Sequence, residues 1–177
     1  MGNSLSERTA AANFILEVPA FGPGEEPDLQ PARGLLKDKE IVLINTPDLL
    51  HPTVSQHKLT EHVELCVRHS APGPHVFLLV LQPEDFTEEH RLRLCRVLKL
   101  FSDTPFDHSL VLISTPKKKK SGFMEKFRLH PPLKHMIKLC RYRFLWRENL
   151  EHSELFSRLV QVLKENNGEH VKRDTHQ

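Results

Sequence analysis

The apolar residues of this chain follow two patterns. Short unbroken runs occur at Ile41–Ile44, at Val76–Leu81 and within the segment SLVLIST that begins at Ser109. Such runs lack the alternation of a half-exposed strand and predict strands covered on both faces, as in a parallel sheet. The segment RYRFLW, ending at Trp146, predicts a fourth strand. Between the runs, apolar side chains recur every three or four positions, the period of a helix with one buried face. This predicts helices over 6–16, 55–69 and 87–102, short helices between Gly122 and Leu139, and a final amphipathic helix in NLEHSELFSRLVQVLKENNG.

The predicted helix ends carry matching chemistry. Ser6 and Thr87 are N-cap residues, Glu88 and Glu89 suit a positive helix start, and Gly168 suits a C-cap. Glu17 to Gly34 holds four prolines and three glycines and reads as a loop. Residues 169–177 read as a frayed tail. Strands alternating with helices indicate an α/β fold with a mostly parallel central sheet flanked by helices.

Composition narrows the picture. The 177 residues suit one domain, assigned to 1–171 with a tail at 172–177. Lys plus Arg number 25 against 23 Asp plus Glu, a net charge of +2, so nucleic acid is not an expected partner. Cys66, Cys95 and Cys140 form no CxxC pair, and reduced, buried thiols in a cytoplasmic protein are expected. His62 and Cys66 share a helix face, but without further ligands at metal spacing they read as a packed pair. No apolar stretch approaches the roughly 18 to 20 residues of a membrane span. Lys117–Lys120 is a basic run suited to an anionic membrane surface, so peripheral membrane association is a second expectation.

The opening MGNSLSERT supports two readings. Gly2 followed by Ser6 fits an N-myristoylation signal. Gly2, Glu7, Arg8 and Thr9 have the spacing of Gly-x-x-x-x-Gly-Lys-Ser/Thr, a phosphate-binding loop. In the second reading Glu7 replaces the last glycine, putting a carboxylate near phosphates, and Arg8 replaces the lysine while keeping its charge.

The second reading is extended by SAPGPHVFLLVLQPEDFTEEHRLRL, which resembles the distinctive conserved box of the immunity-associated (IMAP) GTPases, the avirulence-induced-gene type of G domain. GNSLSERTAAANFIL is similar to that family's phosphate loop and first helix, IVLINTPDLL to its metal-side strand, and HSLVLIST falls where its base-reading strand belongs. RYRFLWRENLEHSELFSRLVQVLKENNGEHV resembles the end of the domain in fish members. The resemblance covers residues 2–171 and marks a divergent, fish-like member. It implies a P-loop NTPase-like G domain that binds GTP or GDP with Mg²⁺ at the C-terminal ends of its strands. It also implies association with related G domains as homo- or hetero-oligomers, and a role in immune responses. The family's first strand should precede Gly2, so an N-terminal central strand is expected to be missing from this chain.

Carried over residue by residue, the resemblance assigns nucleotide contacts to Gly2, Ser4, Ser6, Glu7, Arg8 and Thr9, with Thr9 on the metal. The metal-side Asp-x-x-Gly becomes Asn45-Thr46-Pro47-Asp48, losing a carboxylate at Asn45 and a glycine at Asp48. The base-side Thr-x-x-Asp becomes Thr115 and Lys118, and a lysine cannot accept the base N–H groups. Leu145-Trp146 stands where a base-framing Asn-Asn belongs, and Trp146 suits either stacking or core packing. The combined substitutions predict a pseudo-GTPase with vestigial sites and no catalytic residues. The alternatives are a slow or partner-assisted GTP switch and a membrane-associated adaptor.

Overall fold

A computed structural model describes residues 1–17, 29–116 and 130–172. Among them are helices α1 (Leu5–Leu16), α2 (Gln56–His69), α3 (Glu88–Phe101), α4 (Pro131–Leu139) and α5 (His152–Glu165). The strands are β1 (Gln30–Leu36), β2 (Lys39–Asn45), β3 (Phe77–Leu81), β4 (Ser109–Ile113) and β5 (Phe144–Trp146). Strands β3, β4 and β5 form a parallel sheet in that order, while β1 and β2 form a separate antiparallel pair. The α/β class expected from the alternation holds.

The strands β3 and β4 are buried on both faces because helices cover each side. Leu79, Leu81, Val111 and Ile113 face a core shared with α2, α3 and α4. Val80, Leu110 and Leu112 face the opposite core, built from Ala11 and Ile15 of α1 and Leu155 and Val162 of α5. The cysteines sit in the first core as free thiols, and burial pushes Cys66 and Cys140 each up to about 12. They are therefore inert thiols, not thiolates.

Several sequence expectations need correction. The segment read as a loop to Gly34 contains β1, whose pairing with β2 runs from Gln30↔Asn45 to Leu36↔Lys39. Lys37 and Asp38 make the hairpin turn, both at positive φ (50° and 65°), without the Asn-Gly signature that such turns favour. Gly34 fits there because a Cβ would lie 2.6 Å from Leu16 of α1. Ile41–Ile44 was expected in a fully covered parallel strand, yet β2 is antiparallel and Val42 is exposed. Ser6 is expected to cap α1, but the cap is Ser4. Residues Glu169–Val171, read as frayed, dock: Val171 is buried and its N–H donates to Pro74 O at 2.7 Å. Gly168 is expected to cap α5, but the C-cap is Asn166, with Gly168 following at a φ of 73°. Residues Lys117–Lys120, and the part of the expected short helices up to residue 129, lie outside the described residues.

The edge of β3 opposite β4 is occupied by the first residues of the chain. Gly2 makes a parallel bridge with Val80, Val80 N–H donates to Met1 O at 2.8 Å, and the Met1 amine donates to Leu78 O at 3.2 Å. Helix α1 then packs against β1, β2 and β3 and so joins the two sheets.

Two outcomes are expected. Leu112→Ala, at a fully buried site, should destabilise the chain by about 2–5 kcal/mol in urea unfolding. The docked tail should respond to pH. Partial burial, then the neighbouring His170 and His108, hold the His75 imidazole below its usual 6.5. The His170 ring meets His75 edge-on at 6.3 Å, and His108 Nδ1 lies 3.1 Å from His75 O. The unfolded chain therefore binds the His75 proton more readily than the folded one. Stability should fall as pH drops below 6.5 toward the lower folded value. His75→Gln should flatten that slope in urea midpoints measured across the same range.

Candidate functional site

The loop before α1 is organised by side chains as much as by backbone. Gly2 is buried, and a Cβ there would lie 1.9 Å from Val80 O, so only glycine permits this approach. This gives Gly2 a packing role in the fold. Asn3 next to it acts like an added peptide group. Its Oδ1 accepts from Gln82 N–H at 2.8 Å and its Nδ2 donates to Gln82 O at 3.2 Å. Ser4 has an extended backbone and no side-chain bond to the helix start; its Oγ lies 3.2 Å from Ser6 Oγ.

Arg8 turns inward from the first turns of α1. It is 3% exposed, and its Nη1 donates to Gly2 O at 2.8 Å across the loop. A guanidinium is thus fixed beneath the loop, at the position where the sequence pattern expects a lysine. Its field reaches the Met1 amine, which burial first and Arg8 second push down to about 5. Glu7 and Thr9 are half-buried on the same helix, and the Ser6 side chain is exposed.

The C-terminal ends of the strands converge on this loop. Leu81 and Ile113 are register partners, and Ser114 N–H donates to Leu81 O at 2.9 Å, so Gln82 and Ser114 leave β3 and β4 side by side. Arg93 of α3 donates to Leu50 O at 3.3 Å, which ties the segment after β2 to that helix. Asn45 closes β2 and Thr46 follows it. Crevices outside the carboxyl ends of strands are where open α/β sheets bind ligands.

These side chains are buried and short of partners. Asn45 (5% exposed), Thr46 (3%), Gln82 (0%) and Ser114 (1%) sit among the few buried polar residues. Among the described residues, Asn45 Nδ2, Thr46 Oγ1, Gln82 Oε1 and Ser114 Oγ have no hydrogen-bond partner. Each such group costs roughly 1–3 kcal/mol when left unpaired.

Of the residues singled out in the sequence, Gly2 and Arg8 lie together at the loop, and Asn45 is buried at the end of β2. Asp48 is tied locally, its Oδ1 accepting from Leu50 N–H at 3.0 Å. Thr115 follows Ser114 and is half-buried. Trp146 ends β5 half-buried and packs against the core shared with α2, α3 and α4. Lys118 lies outside the described residues. Sequence reasoning missed Asn3, Thr46, Gln82 and Ser114. Gln82 and Ser114 were visible in principle, as the first polar residues after unbroken apolar runs. Among the described residues no group of three His, Cys, Asp or Glu side chains is gathered to hold a metal, and no helix is long and apolar enough to cross a membrane.

The AIG1 family model matches residues 1–177. GTPase IMAP family member 8 of Homo sapiens is 23% identical over 131 residues, covering 73% of this chain and 20% of the relative. The chain thus spans about a fifth of the length of that curated relative. Together with the parallel sheet and the loop–helix unit against β3, the match over the whole sequence means that this chain belongs to the AIG1 family.

Proposed function

We propose that this chain is a guanine-nucleotide-binding domain that has kept a phosphate-binding crevice and lost efficient hydrolysis, acting by association with related G domains. One observation carries the reading. Buried, unpartnered polar groups follow or end β2, β3 and β4, and a guanidinium is bonded to the loop before α1. A purely structural loop would not keep Asn45, Thr46, Gln82 and Ser114 buried at such a cost. Phosphate oxygens accept strongly from amide, hydroxyl and guanidinium donors, and the N-terminus of α1 adds its unpaired N–H groups.

The loss of hydrolysis follows from what the side chains offer. Asn45 cannot hold a metal shell as a carboxylate does, and Lys118 cannot accept the N–H groups of guanine. Guanine selectivity should therefore be weak. The partner-assisted switch differs from this reading only if a second subunit supplies the missing groups. The name of the human relative, a GTPase, supports the choice of nucleotide.

Calorimetric titration of the folded chain with GTP and with ATP tests the reading. Binding of both, with dissociation constants within about tenfold of each other, is expected. Phosphate release from GTP should not rise above the uncatalysed background. Arg8→Ala should weaken binding at least about tenfold, roughly 1.4 kcal/mol, and Arg8→Lys should retain most of it. Lys118→Asp should raise the preference for GTP over ATP. A folded chain that binds neither nucleotide would leave only the scaffold role, and steady GTP turnover would restore the switch.

A further inference from the structure

A groove of about 570 Å³ lies along α3 and α4, two of the helices that cover the face of the sheet opposite α1. None of its residues belongs to the loop before α1 or to the strand ends at Gln82 and Ser114. Leu92, Leu100, Phe106 and Leu139 give it an apolar lining. Leu92 is 53% exposed, one of the few large apolar side chains that the described residues leave in water. Leu92, Arg96 and Lys99 are spaced i, i+4 and i+7 and form one stripe of α3, and His135 and Leu139 form a second stripe on α4. The stretch from Leu92 to Leu100 rises about 12 Å, roughly two helical turns.

The charged lining has one sign. Arg96, Lys99 and His135 are exposed and form no ion pair among the described residues. Arg91 also lines the groove but is paired with Glu88, on which the His135 charge acts as well. Asp107, next to Phe106, is held by Arg141 at 2.7 Å. Helix α4 contains no acidic residue, and its Lys134 and Lys138 are exposed. Arg96 and Lys99 are neighbours on the helix surface, where like charges repel. A carboxylate set beside them would relieve that repulsion.

We propose that this groove docks an acidic amphipathic helix of a protein partner. Its apolar residues enter between α3 and α4, and its flanking carboxylates meet Arg96 and Lys99. Helices received in apolar grooves present anchors at i, i+4 and i+7, and the groove is long enough for one such set. The sign of the lining selects the occupant, because a basic helix would meet only like charge there. A membrane surface is flat and does not fill a groove, and a nucleic-acid backbone offers nothing to the apolar lining. The proposal goes beyond the nucleotide-binding reading and does not depend on it.

The test is a fluorescence-anisotropy titration of the full chain against two labelled peptides. The first has about 14 residues of Ala, Leu and Glu, roughly four helical turns, with Leu at i, i+4 and i+7 and Glu on either side. The second carries Lys at every Glu position. The Glu peptide is expected to bind at least about tenfold more tightly than the Lys peptide. Arg96→Glu together with Lys99→Glu should weaken the Glu peptide by about tenfold or more, and Leu92→Ser by at least about threefold. Lys39→Glu together with Lys164→Glu, exposed positions on other elements, should change it by less than about twofold. Equal affinity for the two peptides, no binding of either, or an equal loss in both charge-reversed chains would overturn the proposal. Vesicles of phosphatidylserine and phosphatidylcholine in equal parts are titrated alongside. Vesicle binding that requires Arg96 and Lys99, without binding of the Glu peptide, would assign the surface to a membrane and overturn it too. Folding is checked by circular dichroism. If the chain reversed at Arg96 and Lys99 does not fold, Leu92→Ser and the comparison of the two peptides decide.

Discussion

The register of β3 against β4 is the constraint on which the crevice depends. With Leu81 opposite Ile113, both strands end at the same level and present Gln82 and Ser114 together. The register is locked because alternate residues face different cores: Leu79 and Leu81 one, Val80 and the facing Leu110 and Leu112 the other. A slip by one residue would turn every one of these side chains to the opposite face. With helices on both sides, no such slip leaves the apolar surface covered. The polar cluster is therefore placed by apolar packing some distance away from it.

The first residues of the chain depend on that edge in turn. A parallel neighbour to β3 would ordinarily be held by backbone bonds alone. Here the run from Met1 to Asn3 combines a short backbone pairing with a side-chain imitation of it, in which the Asn3 carboxamide exchanges both bonds with Gln82. Arg8 closes the loop from the other side through Gly2 O. Hydrogen bonds of this kind each contribute roughly 0.5–1.5 kcal/mol net, but their joint effect is geometric. They hold the loop and the start of α1 against the strand ends while the glycine expected at Glu7 is absent.

Two departures from the motifs that the resemblance implies fall on buried positions. Lysine becomes arginine at position 8, which keeps the charge and adds a planar fork of donors. Aspartate becomes asparagine at position 45, which removes a negative charge and adds a donor. Both side chains are buried, so neither is a surface substitution.

Much of the framework was legible in the sequence. The unbroken runs at Val76–Leu81 and Ser109–Ile113, the helices starting after Ser55 and Thr87, and the α/β alternation all follow from local periodicity and capping, which act over a few residues. The family, too, was readable in the box around β3 and α3. What stayed hidden rests on contacts distant along the chain. The hairpin of β1 and β2 depends on a turn of lysine and aspartate at positive φ, stabilised by packing on α1 rather than by turn-forming residues. The docking of Val171 needs Pro74, and the Asn3 clamp needs Gln82, partners nearly a hundred and about eighty residues away. Above all, no local pattern says whether a buried amide or hydroxyl has a partner. Local sequence therefore determined which segments are helix or strand and which faces are apolar. Only the tertiary structure decided that Gln82 and Ser114 are brought to one end of the sheet beside the loop that Arg8 holds, because hydrogen-bond satisfaction is a property of neighbours in space.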